Sequence, residues 1–235
     1  MIDLHSHILP GIDDGADSFE DSLALVRELS ANGVTEVFAT PHYVDETAYV
    51  SPREDNLKLL DELQQKVNEA GIPIKVHLGN EIYITPRIMK LLKDGVISAY
   101  GDSQYLLVEL PMSGEFPNYA DIILELLRSS YKVVLAHPER YTAFQKDFSL
   151  VQEMFDMGVY LQCNLMSFGG KYGKGALKLA VKLAKSKMIW GLGSDIHHPQ
   201  GEELWKKSLK KLAKYYNDAE REEILNVNPR KILAE

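Results

Sequence analysis

Short apolar runs alternate along this chain with longer stretches in which apolar residues recur every three or four positions. The runs cover residues 1–5, 34–40, 74–78, 105–110, 132–137, 159–164 and 188–193. Most are near-continuous rather than alternating, the pattern of parallel strands covered on both faces. The stretches between them carry helix punctuation. Ser18 is placed to cap a helix running to about residue 31, with Asp21 three positions on and Gly33 to end it. Ser51-Pro52 opens a second helix to about residue 70, stopped by Gly71 and Pro73. Further helices are expected over 86–93, 118–130, 150–157, 175–186 and 202–216, and Asn228-Pro229 starts a last short one. Seven strand–helix units in succession predict an α/β fold with a parallel sheet, either closed as a barrel or open and doubly wound.

Composition narrows this picture without redirecting it. A length of 235 residues suits one domain, 1–235, since α/β barrels run this long as single units. There is no repeat of fixed period, no low-complexity tract and no linker-like segment. No window reaches the roughly 18 uncharged apolar residues of a membrane-spanning helix. The first residues lack the basic segment and apolar run of a secretory signal. The single cysteine, Cys163, cannot pair internally and suits a reducing compartment, so a cytoplasmic protein is expected. A net charge of −8 does not suit a broad nucleic-acid surface. Lys206, Lys207, Lys210, Lys211 and Lys214 cluster in one helical pattern opposite Trp205, Leu209 and Leu212. That cluster reads as a solvated face, with docking of an acidic partner as the alternative.

Candidate chemistry falls at the ends of the expected strands. His5 and His7 close the first strand, His42 follows the second and Glu81 the third. Glu109 ends the fourth, His137 the fifth, and Asp195 with His197 follows the last. In a β/α barrel those ends share one face, where active sites are built. Five imidazoles and three carboxylates form a nitrogen and oxygen donor set suited to Mn²⁺, Fe²⁺ or Zn²⁺, without the thiolates of a structural zinc site. Eight ligands exceed what one catalytic ion takes from a protein, so two or three bridged ions fit better. His77 lies inside a strand and is left to packing or the surface; His198 points away from its neighbour. In the turn Leu9 to Gly15, Asp13 or Asp14 is placed as a proton donor or as a partner behind a ligand. Arg140, three residues past His137, can hold phosphate oxygens bidentately.

These residues carry a resemblance. Asp3-Leu4-His5-Ser6-His7, Pro10 to Gly15, Ala39-Thr40-Pro41-His42, Gly79-Asn80-Glu81, Ala136-His137-Pro138-Glu139-Arg140 and Ser194-Asp195-Ile196-His197 resemble the polymerase-and-histidinol-phosphatase (PHP) superfamily. Within it, the chain is similar to the bacterial manganese-dependent protein-tyrosine phosphatases of capsule and exopolysaccharide operons. The motifs run in the family's order from residue 1 to about 200. The resemblance implies a distorted (β/α)7 barrel with a trinuclear centre held by the eight residues above. It implies hydrolysis of phosphotyrosine, typically on the tail of a bacterial tyrosine kinase that governs polysaccharide export. It gives Asp14 a part in catalysis and Arg140 one in phosphate binding. One departure stands out: no arginine lies between Asp195 and Trp205, and Lys206 or Lys207 is the next cation along the chain.

Other readings are weaker. A cysteine-dependent tyrosine phosphatase needs Cys-x5-Arg, and the arginine position after Cys163 holds Gly169. A phosphoesterase of the same superfamily acting on histidinol phosphate or a nucleotide is the main rival. An amidohydrolase-type barrel fits Glu81 and Glu109 less well. A non-catalytic barrel that only binds metal would be signalled by a broken donor set, and all eight positions are filled.

Overall fold

The computed structural model describes residues 1–113 and 119–234. Every strand pairing within its ladders is parallel. Strand β1 (Ile2–Ser6) leads to helix α1 (Phe19–Ala31), and β2 (Glu36–Ala39) with β3 (His42–Tyr43) leads to α2 (Arg53–Glu69). Next come β4 (Lys75–Leu78) and β5 (Glu81–Tyr83) with α3 (Ile88–Lys93), then β6 (Tyr105–Glu109) with α4 (Tyr119–Arg128). The following strand, β7 (Lys132–Ala136), precedes α5 (Thr142–Lys146) and α6 (Phe148–Asp156). After β8 (Tyr160–Asn164) come α7 (Leu165–Gly169) and α8 (Gly173–Lys185), and after β9 (Ile189–Gly193) comes α9 (Glu202–Leu212). Helix α10 (Asp218–Glu222), a π-helical turn over Glu223–Val227 and α11 (Asn228–Leu233) finish the described chain.

Strands β3 and β5 continue the tracks of β2 and β4, because β2 pairs with β4 and β3 with β5. The breaks fall at Thr40-Pro41 and Gly79-Asn80, where Pro41 has no N–H to give a ladder. Seven tracks result, in the order β1, β2/β3, β4/β5, β6, β7, β8, β9. The first and last then join: Asp195 N–H donates to His5 O at 2.8 Å, and His7 N–H to Ile196 O at 3.0 Å. The result is a distorted (β/α)7 barrel, the closed alternative of the two that the pattern allowed.

Alternation along the strands explains the doubly apolar runs. Leu106, Val108, Val133, Leu135, Leu161 and Cys163 pack in the large cluster under the helices. Phe38, Tyr105, Leu107, Val134 and Ala136 pack with Tyr100 and Ile232 in a second cluster. Each buried aliphatic side chain contributes about 1.5–3 kcal/mol over exposure, so both faces hold the barrel together. Residues on the inner face of the strands become polar towards the far end: Glu109 follows Leu107, and Gln162 and Asn164 follow Tyr160. The register of β1 slips between Asp3 and Ser6, which lets Leu4 join the inner cluster while His5 still reaches the polar end.

Helix starts are as the punctuation predicts at Ser18, whose hydroxyl accepts from Asp21 N–H at 3.2 Å, and near Pro52. Elsewhere the structure differs. The helix expected over 202–216 stops at Leu212, and Tyr216 packs as a buried residue beyond it. The helix expected over 150–157 begins at Phe148 behind the separate α5, and the short α7 was not expected. Asn118, the expected start of a helix, lies outside the described residues.

His77 is structural, as expected. Its Nε2 lies 2.9 Å from Glu36 Oε2 and its ring 5.0 Å from that of Phe38. Burial outweighs Glu36 and keeps its pKa below the usual imidazole value. The fold therefore prefers neutral His77, whose contribution to stability is full above about pH 6.5 and is lost as pH falls through the lowered folded value. Thermal unfolding of metal-free protein tests this: the Tm difference between about pH 7.5 and about pH 5.5 should be smaller in His77→Gln than in the parent.

Candidate metal centre

The barrel's closing seam sets the first and last motifs face to face, since His5 and His7 bond through their backbones to Asp195 and Ile196. His42 opens β3 directly beside Glu81, which opens β5, the two being register partners. Both donors thus sit in resumed strands rather than in the loops the sequence suggested. Glu109 ends β6, and His137 follows β7. His137 and Asp195 hold left-handed backbones (φ 31° and 51°), a strained conformation for residues with a Cβ that clusters at functional sites.

All eight expected donors converge, with Glu81 at the centre. Its Oε2 lies 3.1 Å from His5 Nε2, 3.3 Å from His7 Nε2 and 3.0 Å from His42 Nδ1. Its Oε1 lies 2.7 Å from His137 Nε2. Asp195 Oδ1 stands 3.7, 3.6 and 3.4 Å from His5 Nε2, His7 Nε2 and His197 Nδ1. Glu109 stands 3.7 Å from His137 Nε2 and 4.0 Å from His42 Nδ1. Asp14 joins them on the open side, its Oδ1 3.4 Å from His42 Nε2 and 3.3 Å from His197 Nε2.

Neighbours fix the rings. Asp13 Oδ2 lies 2.8 Å from His7 Nδ1 and accepts from His42 N–H, and Gln162 Oε1 lies 2.9 Å from His5 Nδ1. Both contacts leave Nε2 aimed at the centre, as carboxylate and amide partners do behind metal-bound histidines. Of the two aspartates in the turn, Asp13 backs the His7 ring and Asp14 faces the open side. Gln162 was missed, though a glutamine inside an apolar strand was the available signal. Close approach fixes two glycines: a Cβ on Gly15 would lie 2.1 Å from His7 O, and one on Gly193 would lie 2.5 Å from His5 Cβ.

Arg140 comes from a 3₁₀ turn over Pro138–Arg140, and its Nη1 donates to Asp195 Oδ2 at 2.6 Å. Asn164 Nδ2 and the Tyr172 hydroxyl donate to the same oxygen at 2.6 and 3.1 Å. The guanidinium lies 4.5 Å from the centre of the Tyr172 ring, and Lys171 Nζ lies 5.0 Å from it. Lys171 is therefore the cation that shares a ring with Arg140. Lys206 is exposed and paired with Glu202, and Lys207 is exposed beside it on α9.

The charges are unevenly settled. Burial opposes ionisation of Glu81, yet His5, His42 and His137 hold its carboxyl well below the usual range. Burial, with the Glu81 charge beside it, pushes Glu109 up to about 9. Burial takes His137 down to about 4, whereas His7 is held well above its usual value by Asp13 and Glu81 against its burial. The hydrogen bond from His197 brings Asp14 down to about 2. Cys163 is fully buried with its thiol pushed well above the usual range by burial, so it offers no thiolate.

The residues fit divalent ions. Among the described residues, donor atoms fall into three overlapping groups: His7, Asp14, His42 and His197; His5, His7 and Glu81; and His42, Glu81 and Glu109. Within each group the atoms lie within 4.8 Å of one another. His42 Nδ1 is buried between two carboxylates and makes no hydrogen bond, the placement of a lone pair meant for a cation. Overlapping nitrogen and oxygen groups at the mouth of a β/α barrel are the arrangement of a metal-dependent hydrolase.

The family model for capsular polysaccharide synthesis proteins of the CpsB/CapC type matches residues 1–234, and the chain belongs to that family. The CapC protein of Staphylococcus aureus is 31% identical over 224 residues, covering 94% of this chain and 87% of that protein. The tyrosine-protein phosphatase CpsB of Streptococcus pneumoniae is 30% identical over 240 residues, covering 99% and 98%. A chain from crystal structures of the metal-dependent tyrosine phosphatases YwqE (Bacillus subtilis) and CpsB (Streptococcus pneumoniae) superposes with a TM-score of 0.82. It is 27% identical, and the match covers all of this chain and 92% of that one.

Proposed function

We propose that this chain is a metal-dependent protein-tyrosine phosphatase, one domain over 1–235, acting in the control of capsule or exopolysaccharide synthesis. The observation that carries the reading is Glu81 placed within 3.3 Å of four imidazoles at the barrel mouth, with Arg140 beside them. The likeness to tyrosine phosphatases over nearly the whole chain supports the choice of substrate. His5, His7, His42, Glu81, Glu109, His137, Asp195 and His197 would hold two or three ions, Mn²⁺ by preference, with iron or zinc as substitutes. Such ions supply a hydroxide nucleophile at neutral pH and neutralise charge on a phosphoryl group.

The chain's own residues do the rest. Arg140 spends one N–H on Asp195 and has others to hold phosphoryl oxygens. Asp14 is half-exposed on the open side, 3.4 Å from His42 Nε2; there it would take the proton of the attacking hydroxide and pass it to the leaving phenolate. Ionised at rest, it collects that proton before giving it up. A phenol with a solution pKa of about 10 leaves with little help, so Asp14 weighs less here than it would for an alkyl ester. The partner is a phosphotyrosine protein, a bacterial tyrosine kinase tail, met in the cytoplasm. Among the described residues no helix is long and apolar enough to cross a membrane.

Chelator-stripped protein assayed on p-nitrophenyl phosphate and a phosphotyrosine peptide tests this. Both activities should return with added metal, most strongly with Mn²⁺. Return of the aryl phosphate activity without the peptide would move the substrate to a small phosphate ester such as histidinol phosphate or a nucleotide. No activity with any metal would leave a binding module.

A further inference from the structure

Only part of the cluster meets solvent. Asp14 is 51% exposed, His197 21% and His42 15%, while Glu81 and Asp195 are sealed at 1% and 2%. A phosphoryl group must enter from the side of Asp14, His42 and His197, and Tyr49 borders that side. Its ring stacks on His42, with centroids 5.9 Å apart and planes 27° from parallel.

The loop that presents Tyr49 is bonded into place. Val44 N–H donates to Tyr49 O at 2.8 Å, Thr47 N–H to Val44 O at 3.2 Å, and Tyr49 N–H to Thr47 Oγ1 at 3.1 Å. An antiparallel bridge joins Tyr43 to Val50, and Arg87 ties down Asp45 and Glu46 at 3.2 and 3.3 Å. Despite this anchoring, Tyr49 and Val50 each remain 37% exposed, among the large apolar side chains left in solvent. The Tyr172 ring is already engaged, its hydroxyl on Asp195 and Arg140 and Lys171 on its ring. Tyr49 has His42 on one face and stays 37% exposed.

We propose that Tyr49 selects aryl phosphates by stacking on the phenyl ring of the bound ester. This deepens, and rests on, the phosphatase reading above. With the phosphoryl group at the donors, the ester's organic part leaves the site past Tyr49. A phenyl ring there gains an offset-stacked or edge contact in addition to the apolar area it covers, with Val50 beside it. An alkyl ester places a methylene, not a ring, next to the ester oxygen. His42 backs the inner face of Tyr49 and sets its tilt, so the wall is in place before substrate arrives. Tyr49 touches the substrate's ring and none of the reacting atoms; it sorts substrates and leaves the chemistry to the donors.

Calorimetric binding of phenylphosphonate and methylphosphonate to the Mn²⁺-loaded protein tests the inference without turnover. The parent should prefer the phenyl compound. Tyr49→Ala should weaken phenylphosphonate by about 3- to 10-fold, the worth of one aromatic pair, and methylphosphonate by less than about twofold. Tyr49→Phe should keep the parent's preference, and metal content should not change in either variant. In kinetics, Tyr49→Ala should raise KM for a phosphotyrosine peptide more than it lowers kcat. An unchanged phenyl preference in Tyr49→Ala, or equal weakening of both phosphonates, would overturn the proposal. Failure of the parent to hydrolyse the peptide would instead count against the tyrosine-phosphatase reading, while the phosphonate ratio still judges Tyr49.

Discussion

Glu81→Gln should cost the protein bound metal and lower kcat/KM for p-nitrophenyl phosphate by about 10³-fold or more, roughly 4 kcal/mol of barrier. Glu81 holds four imidazoles within 3.3 Å, Oε2 serving three histidines and Oε1 a fourth, whereas Glu109 stands 3.7 and 4.0 Å from its two. It is 1% exposed, so water cannot replace what is lost. Glutamine keeps the shape but gives up the charge and one acceptor, and its NH₂ cannot ligate a cation. Metal-to-protein ratio by mass spectrometry, measured beside the kinetics, separates the two effects. Full metal content with a full rate would remove Glu81 from the centre and the site assignment with it.

Arg140→Ala comes next, with an expected loss of about 10²- to 10³-fold in kcat/KM at unchanged metal content, the usual effect of removing a donor to developing negative charge. Arg140 also bonds Asp195, which raises the question of whether its loss empties the site as well. Asn164 and Tyr172 argue otherwise, because both donate to the same Asp195 oxygen and keep the carboxylate in place. Arg140→Lys should recover part of the rate, since lysine supplies the charge without the fork. Parallel loss of metal and activity would make Arg140 a positioning residue for Asp195 instead of a phosphate ligand.

Much of the site was legible because its donors fall at strand ends, and strand ends can be read from apolar runs. His-x-His after the first run and Asp-x-His after the last were visible at once. Their backbone contact was not, since nothing local says that residues 5 and 195 lie side by side. Asp13 and Asp14 could not be told apart in a turn rich in Asp and Gly; only the fold turns one behind His7 and the other towards solvent. Lys206 and Lys207 were next along the chain after the Asp-x-His motif, whereas Lys171, from a distant unit, shares the Tyr172 ring with Arg140. Tyr49 gave no signal at all, for an exposed tyrosine in a polar loop is ordinary until His42 is seen beneath it.

Consecutive positions were enough to give the seven strand–helix units, the donor types and the place of each donor along the chain. Those properties are local: period, punctuation and residue chemistry are written in consecutive positions. Only the assembled fold shows that the sheet closes, that β2 and β4 break and resume so that His42 pairs with Glu81, and that one carboxylate gathers four imidazoles. Closure depends on hydrogen bonds between residues some 190 positions apart, such as Asp195 to His5. The breaks depend on which N–H groups find partners across a neighbouring strand. Neither is fixed by any short stretch of chain, because a backbone donor is satisfied by whichever acceptor the whole fold brings to it.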